Sequence, residues 1–559
     1  MNERFDDKRK AIIAKYTPLT EEELNDGAFD VNWFKEVYDK LGKKRFEEIY
    51  KAAKYISDGS KHSRARKYAD AARGEMDPEK TQAEIVAKRN KDLLMAYALI
   101  PRKEADRKKT YQYIQKFLKE SKQFGAQRRA SEKAASEMAV KNLARVAGYD
   151  DETRFILKME REISSGLLGF LEPYAVGEYT VQLEADDAGK ISIITKKGDK
   201  ALKSVPAAIK KNEYIVDITE AKKTFTEQYR RTKVMMEESM ESENEYFVSE
   251  ILDMYKDPVI GGMIGRILFK KDDFFGFPED LKEQGFKNND KVLIAHPSHL
   301  FAAGRWHEFQ KICYDKQIKQ PFKQIFRELY VKTDEEKNLT ESMRYAGNQI
   351  NPKQTVGVLR NRRWIADAEA GLQKVYYKEN IIATIYALAD WFAPSDIEAP
   401  TLEWVAFYDR KTFEKKPICE IPDIIFSEVM RDVDLAVSVA HAGQIDPEMS
   451  HSTIEMRKAI AEFVVPMFKL TNVTFNDTHA IIKGTRGNYN IHLGSGVIHQ
   501  EGGPMINVLP VHSQNRGRIF LPFVDDDPKT AEIMSKIIFF AEDKKIKDPY
   551  ILDQIVNLQ

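Results

Sequence analysis

Apolar positions in residues 1 to about 165 recur at helical spacing, so this stretch is predicted to be helical throughout. Thr20-Glu21-Glu22-Glu23 has the form of a helix-starting capping box. Ile114, Phe117, Leu118 and Phe124 make an apolar stripe that stops at Gly125. A further helix is expected from about Ala126 to Gly148, and Asp150 or Asp151 can cap another through Phe155, Ile156 and Met159. Such a succession of short helices predicts an α-hairpin stack. No fixed repeat period accompanies it.

Around Leu167 the period changes from 3.6 to 2. YTVQLEA (179–185) and KISIITKK (190–197) flank a turn at Asp186-Asp187-Ala188-Gly189, and a second turn at Gly198-Asp199 leads into ALKSVP, an antiparallel meander. A long polar helix follows, from about Thr219 to Met240, of the kind that bridges two units. From 245 to 470 both element types occur. KVLIAH (291–296) reads as a buried strand, residues 304–314 as a helix, and PFKQIFRELYV (321–331) as a second strand, together suggesting a βαβ crossover. GLQKVYYKEN, IIATIYALAD and LEWVAFYD read as strands. Pro394, Pro400, Pro417 and Pro422 cut this region into short pieces. DIIFSEVMRDVDLAVSVA (423–440) reads as a helix with Phe426, Val429, Met430, Val433 and Val437 inward. Beyond 470, strand signals sit at NVTFND, HAIIKG, YNIHLG, GVIHQE, MINVLPV and RIFLPF, and a last helix starts at Asp527-Pro528.

The fold class expected is therefore α+β and multidomain: a helical part over 1–165, a β-meander with a long connecting helix over 166–245, a mixed α/β core over 246–470, and a small β-rich module ending in a helix over 471–559. The 88 basic and 88 acidic residues of the 559-residue chain cancel, so no global field draws it to nucleic acid or membrane. Cys313 and Cys419 are the only cysteines, too few for a disulfide framework or a cysteine-based zinc site, which suits a reducing cytoplasmic compartment. MNERFDDKRK lacks the apolar core of a signal peptide, and no apolar run is long enough to span a membrane.

Candidate chemistry is sparse. Gly494-Ser495-Gly496 follows a strand but precedes another strand instead of a helix, so a tight hairpin is expected there and not a dinucleotide loop. No GxxxxGK[ST] and no GxSxG occurs; Ser427 sits in FSEVMRD without glycines. His492 and His499 flank the Gly-Ser-Gly turn on adjacent strands, and Asp525-Asp526-Asp527 could bind magnesium or cap the last helix. Neither arrangement completes a metal site, so no metal and no cofactor is expected.

One constellation stands out. In 321–331 alternation puts Arg327 and Glu328 on opposite faces of a strand, and a central strand would bury both. The helix SEVMRDVD brings Glu428, Arg431, Asp432 and Asp434; Glu428 and Asp432, at i,i+4, repel unless an arginine such as Arg327 or Arg431 is shared between them. Arg344 in ESMRYAGNQI is a further candidate. His296, at the carboxyl end of a strand, lies where open α/β sheets bind ligands. Two readings are open: a buried ion network that fixes packing, or an anion- or nucleotide-binding pocket with perturbed pKa values. Residues 101–145 hold 13 Lys/Arg against 5 Asp/Glu, with Arg128 and Arg129 near Phe124; this is a solvated helical face or a phosphate-contact surface.

These blocks resemble a family. HPSHLFAAGRWHEFQ (296–310), QPFKQIFRELYV, ESMRYAGNQI, FSEVMRDVDL, YNIHLGSGVI and RIFLPFVDDDPKTAEIMSKIIFFAEDKKIKDPYIL are similar to the C-terminal region of MolR-type bacterial proteins, and 124–155 and 222–241 to their central region. That resemblance covers about residues 100–559. It implies partnership with a MoxR-type AAA ATPase and a von Willebrand A-type protein in a stress or conflict system. It supplies no catalytic residues, and no WGR motif, which accompanies some members, is present. The function expected is a cytoplasmic interaction or effector subunit. The alternative is an enzyme acting on a nucleotide or nucleic acid through the Arg/Glu/Asp pocket. A plain nucleic-acid-binding protein ranks last, because net charge is zero. Geometry separates the first two: an open cleft around Arg327, Glu328, Glu428 and Arg431 favours the enzyme, a sealed and mutually paired cluster the scaffold.

Overall fold

The computed structural model describes the chain apart from residues 1–16, 18, 20, 53–54, 56–58, 150–151, 187–188, 361, 368–370, 377, 389–400, 441–450, 504, 507, 509–518, 526 and 556–559. Thr20, Asp150, Asp151, Asp187, Ala188, Pro394, Pro400 and Asp526, which enter the sequence reading, lie outside the described residues. The protein is a multidomain α+β chain of two compact units, one made of residues 1–184 and 191–228, the other of 185–190 and 229–559.

Among the described residues the first unit has eight helices ahead of its sheet: α1 (Glu21–Asp26), α2 (Val31–Ala52), α3 (Gly59–Ala72), α4 (Pro78–Lys88), α5 (Lys91–Leu99), α6 (Glu104–Glu120), α7 (Ala126–Val146) and α8 (Glu152–Ser165). Ile114 and Phe117 of the predicted stripe are buried with Tyr111, Leu143 and Phe155. The meander follows as β1 (Tyr174–Val176), β2 (Tyr179–Ala185), β3 (Ile191–Lys197) and β4 (Lys200–Leu202), adjacent in chain order. The polar helix, α9, runs from Glu213 to Glu241, longer than its charge pattern suggested, and the division between the units falls inside it.

Among the described residues the second unit holds three sheets, and their paired strands are antiparallel. The first has the order β5-β8-β6-β7, from β5 (Tyr246–Phe247), β6 (Phe269–Lys271), β7 (Phe274–Gly276) and β8 (Lys291–Ile294). Around it lie α10 (Val248–Tyr255), α11 (Gly261–Ile264), α12 (Pro278–Glu283), α13 (Pro297–Ala302) and α14 (Trp306–Asp315). The second sheet has the order β10-β11-β12-β13-β9, with β9 (Glu341–Ser342), β10 (Ile365–Asp367), β11 (Gly371–Tyr376), β12 (Ile381–Leu388) and β13 (Thr401–Asp409). After the short helices α15 (Asp334–Lys337) and α16 (Pro352–Arg360), α17 (Asp423–Ala440) shares a core with that sheet. Its residues Phe426, Val429, Met430, Val433 and Val437 are buried, as their spacing requires. The third sheet is a meander, β14 (Val473–Phe475), β15 (His479–Lys483), β16 (Asn488–His492), β17 (Ile498–Gln500) and β18 (Met505–Ile506), packed with α18 (His451–Met467) and α19 (Pro528–Ala541). Helix α20 (Pro549–Leu552) follows.

Two strand expectations fail, and with them the βαβ crossover. Segment 321–331 is irregular, and only Gln320 beside it makes an isolated bridge, to Phe523. RIFLPF likewise offers only that bridge among its described residues. The cause is visible in the backbone partners. Pro321 has no N–H to give a ladder. The Lys323, Ile325 and Tyr330 amides donate to the side chains of Asp525, Gln320 and Ser427 at 2.9, 2.9 and 3.1 Å. Side chains take over what a neighbouring strand would supply, so buried backbone groups stay paired without regular structure. Gln324 completes this, accepting from Leu268 N and donating to the Leu268 and Ala295 carbonyls at 2.9, 2.8 and 2.8 Å.

No helix among the described residues is long and apolar enough to cross a membrane.

Candidate functional site

Arg327 is wholly buried on the irregular segment. Its Nε and Nη2 donate to the two oxygens of Glu428 on α17 at 2.7 and 2.6 Å, a bidentate pair. Nη1 donates to Glu237 at 2.7 Å and Nη2 to Glu241 at 2.8 Å, both on the last turns of α9. One guanidinium thus serves three carboxylates from two helices. Burial alone would raise the Glu428 pKa, but Arg327, and the hydrogen bond from His296, hold it well below the ordinary carboxylate range.

His296 is the N-cap of α13 and fully buried. Its Nδ1 accepts the Ser298 amide at 3.1 Å, which places the ring proton on Nε2, donated to Glu428 at 3.1 Å. Ser298 Oγ also lies 3.0 Å from Nδ1. Hydroxyl, ring and carboxylate line up as in a relay, but the acceptor nitrogen is already held by the helix backbone. Burial pushes the His296 pKa down further than Glu428 raises it, so the ring is neutral.

Glu328 faces a different set. Lys323 Nζ donates to it at 2.7 Å and Arg431 Nε at 2.9 Å. Lys323 also reaches Asp527 at 2.8 Å, and Lys233 of α9 pairs with Asp525 at 2.8 Å. Against burial, Lys323 and Arg431 hold Glu328 far below its usual range. Arg327 and Glu328 therefore diverge to separate partners as expected, although no strand sets their directions.

Glu428 and Asp432 do not share an arginine. Asp432 is wholly buried and accepts from Arg362 at 2.9 Å, from Trp364 Nε1 at 2.8 Å and from Lys374 Nζ at 3.2 Å. Giving each acid its own cation relieves their i,i+4 repulsion. Arg344 stands apart: it pairs with Glu336 and stacks over Phe426, 5.5 Å from the ring centre, and reaches none of these groups. Asp434 accepts from Thr453 at 3.0 Å.

The cluster is sealed. Side chains of Arg327, Glu428, His296 and Asp432 are at most 1% exposed, and Lys374 is 4% exposed. A shallow cleft of about 240 Å3, lined by Phe275, Arg305 and Phe309 among others, has none of these residues in its wall. Lys374, Arg362, Trp364, Glu237 and Glu241 escaped the sequence reading. Lys374 left a trace, since alternation in GLQKVYY sets it between Leu372 and Tyr376 on one face. The α9 acids left none, because they sit in a helix that reads as solvated.

The other motifs resolve locally. Arg457 donates to the Gly494 carbonyl at 2.6 Å and Lys536 to the Gly496 carbonyl at 2.9 Å. The turn thus offers carbonyls to cations, whereas a phosphate loop offers N–H groups to an anion. Gly496 has φ 72°, a conformation glycine adopts without strain. Asp527 caps α19, accepting the Thr530 amide at 2.9 Å. Since it also pairs with buried Lys323, Asp527→Ala should cost more than the ~1 kcal/mol of a cap alone, as read by urea unfolding.

His492 meets His479 in register across β15 and β16, ring centroids 4.9 Å apart, while His499 lies opposite Asn490. Burial, then the charges of His492 and His499, lower the His479 pKa. The folded state then binds fewer protons than the unfolded one, so stability is lost as pH falls below the ordinary imidazole value of ~6.5. Melts at pH 5.5 and 7.5 should show part of that loss removed in His479→Gln. Among the described residues no group of three or more His, Cys, Asp or Glu is placed to hold a metal ion. In the basic run, Arg128 pairs with Glu132 at 2.9 Å and lies over Phe124, 3.8 Å from its centre; Arg129 is exposed.

Three family models match parts of the chain: a family of unknown function (DUF5724) over residues 1–159, a domain of unknown function (DUF4132) over 199–364, and a second such domain (DUF7737) over 454–555. No curated protein and no solved structure matches it. The charge cluster crosses these limits. Glu237, Glu241, His296, Arg327 and Arg362 lie within 199–364, while Lys374, Glu428, Arg431 and Asp432 lie between that stretch and the next.

Proposed function

We propose that the chain is a cytoplasmic interaction or effector subunit that works with other proteins and performs no reaction of its own at the Arg327 cluster. The observation that carries this reading is the seal: every acid of the cluster is matched by a cation or a donor, and its core is closed to solvent. Catalytic groups must reach a substrate. A network paired on all sides has the makings of a device that fixes one packing of helices and segment, the role buried polar groups fill where they specify a unique arrangement. The two cysteines, one buried and one exposed, suit a reducing compartment.

The resemblance to MolR-type proteins supplies the kind of partner, a MoxR-type AAA ATPase and a von Willebrand A-type protein. The test is light scattering after size exclusion of the purified chain mixed with each. The expected result is a complex of defined mass with at least one of them. Separate elution of all three, together with nucleotide or nucleic-acid turnover by the chain, would overturn the reading.

A further inference from the structure

We propose that Glu241 is a proton-operated latch for the last turns of α9: a proton taken up on its carboxyl tightens the seat of residues 229–241 on the cluster, and loss of that proton loosens it.

The charge count in the closed part motivates this. Three carboxylates, Glu428, Asp432 and Glu241, are 1%, 0% and 10% exposed, and they share two equally closed cations, Arg327 at 0% and Lys374 at 4%. His296 is neutral and adds no charge. The closed part is therefore one negative charge in excess. Arg431, 12% exposed, belongs with Lys323, Glu328 and Asp527 to a neighbouring set whose charges cancel; Arg362 and Arg363 are 27% and 41% exposed, and Glu237 is 25% exposed, so these three are screened by water. A sealed site with surplus negative charge takes up a proton at the carboxylate that loses least by it.

Hydrogen bonding identifies that carboxylate. Glu428 receives two Arg327 bonds and one from His296. Asp432 receives bonds from Arg362, Trp364 and Lys374. Glu241 receives one Arg327 bond on Oε1, while Oε2 lies 3.5 Å from Arg363 and 3.7 Å from Lys374. Protonating Oε2 keeps the Arg327 bond and removes the repulsion from both neighbouring acids. The charged and titratable groups that face Glu241 are Glu237 and Glu238 on α9, Arg327 on the irregular segment, Arg363 after α16, Lys374 and Tyr376 on β11, and Glu428 and Asp432 on α17. Burial, only partly offset by Lys374, pushes the carboxyl up to about 7.

The sign follows from linkage. The seated carboxyl holds a proton that the released one, near 4.5, has given up. The seat is therefore tightest at low pH and loses this contribution as pH rises through about 7. Hydrogen exchange of the full chain, read at the amides of 229–241 and corrected for intrinsic rates, tests this in wild type, Glu241→Gln and Glu237→Gln. Wild-type protection should fall roughly tenfold between pH 6 and pH 8, the linkage of one proton across that window. Glu241→Gln, which mimics the protonated form, should stay highly protected at both pH values. Glu237→Gln, changed at the rim, should behave as wild type. An equal pH dependence in Glu241→Gln, lower protection of that variant at pH 6, its failure to fold, or loss of the dependence in Glu237→Gln would each overturn the proposal.

Discussion

Arg327→Ala should destabilise the second unit by roughly 3–5 kcal/mol, the usual cost of breaking a buried ion pair from one side. The loss goes beyond one contact. Truncation leaves Glu428, 1% exposed, with the neutral His296 ring as its remaining hydrogen-bond partner, and takes from Glu241 its Arg327 bond, leaving Arg363 and Lys374 at 3.5 and 3.7 Å. A closed carboxylate that has lost its cation must be protonated or hydrated, and hydration demands opening the packing. Domains commonly have ~5–15 kcal/mol of stability in all, so the variant should lie near its unfolding threshold. Urea titrations followed by tryptophan fluorescence read this directly, since Trp364 sits in the cluster.

Asp432→Ala should have an effect of the same order, roughly 3–5 kcal/mol. Lys374 would keep Glu241 at 3.7 Å and lose its closest carboxylate at 3.2 Å. Trp364 Nε1 would lose its acceptor as well. Asp432→Asn should cost less, because an amide oxygen can still take the indole bond. Acid should work in the same direction as these substitutions. Glu428, Asp432 and Glu328 all titrate below their usual range in the folded state, against the pull of burial, through Arg327, through Lys374 and Arg362, and through Lys323 and Arg431 respectively. The stability they contribute is present above ordinary carboxylate pKa values and is lost as pH falls through and below ~4. The effect of Glu241 has the opposite sign and a higher window, so a pH series separates the two.

Helix α17 was legible from its spacing, bounds and inward residues alike, because an amphipathic helix packed on a sheet repeats one signal over five turns. Strands β11, β12 and β13 of the second sheet and the strands of the third were legible through alternation and turn residues, whereas the two- and three-residue strands β9 and β10 were too short to show a period. Segment 321–331 was misread for a physical reason. Its polar residues fall in adjacent pairs, Lys323-Gln324 and Arg327-Glu328, between apolar pairs, and every residue from Phe322 to Tyr330 is buried. The polar ones point inward to pair with each other and with distant backbone. Periodicity reports which side of an element faces water, and a segment with no wet side has no period to report. The importance of Arg327 and Glu328 was nonetheless visible, since two adjacent charges among Ile325, Phe326, Leu329 and Tyr330 need partners. Which partners they find depends on residues about 90 positions before and 100 after. Glu237 and Glu241 in particular carry no local mark of burial.

The measurement that tests the central claim most directly is a double-mutant cycle on Arg327 and Glu428, using Arg327→Met, Glu428→Met and the pair, each followed by urea unfolding. If the cluster is a packing device, both single variants lose several kcal/mol, and the double variant is no less stable than the worse single, because it strands no Arg327–Glu428 partner. If Arg327→Met instead unfolds with the wild type and the two changes simply add, Arg327 is not held as a structural partner of Glu428, and the sealed-scaffold account is contradicted.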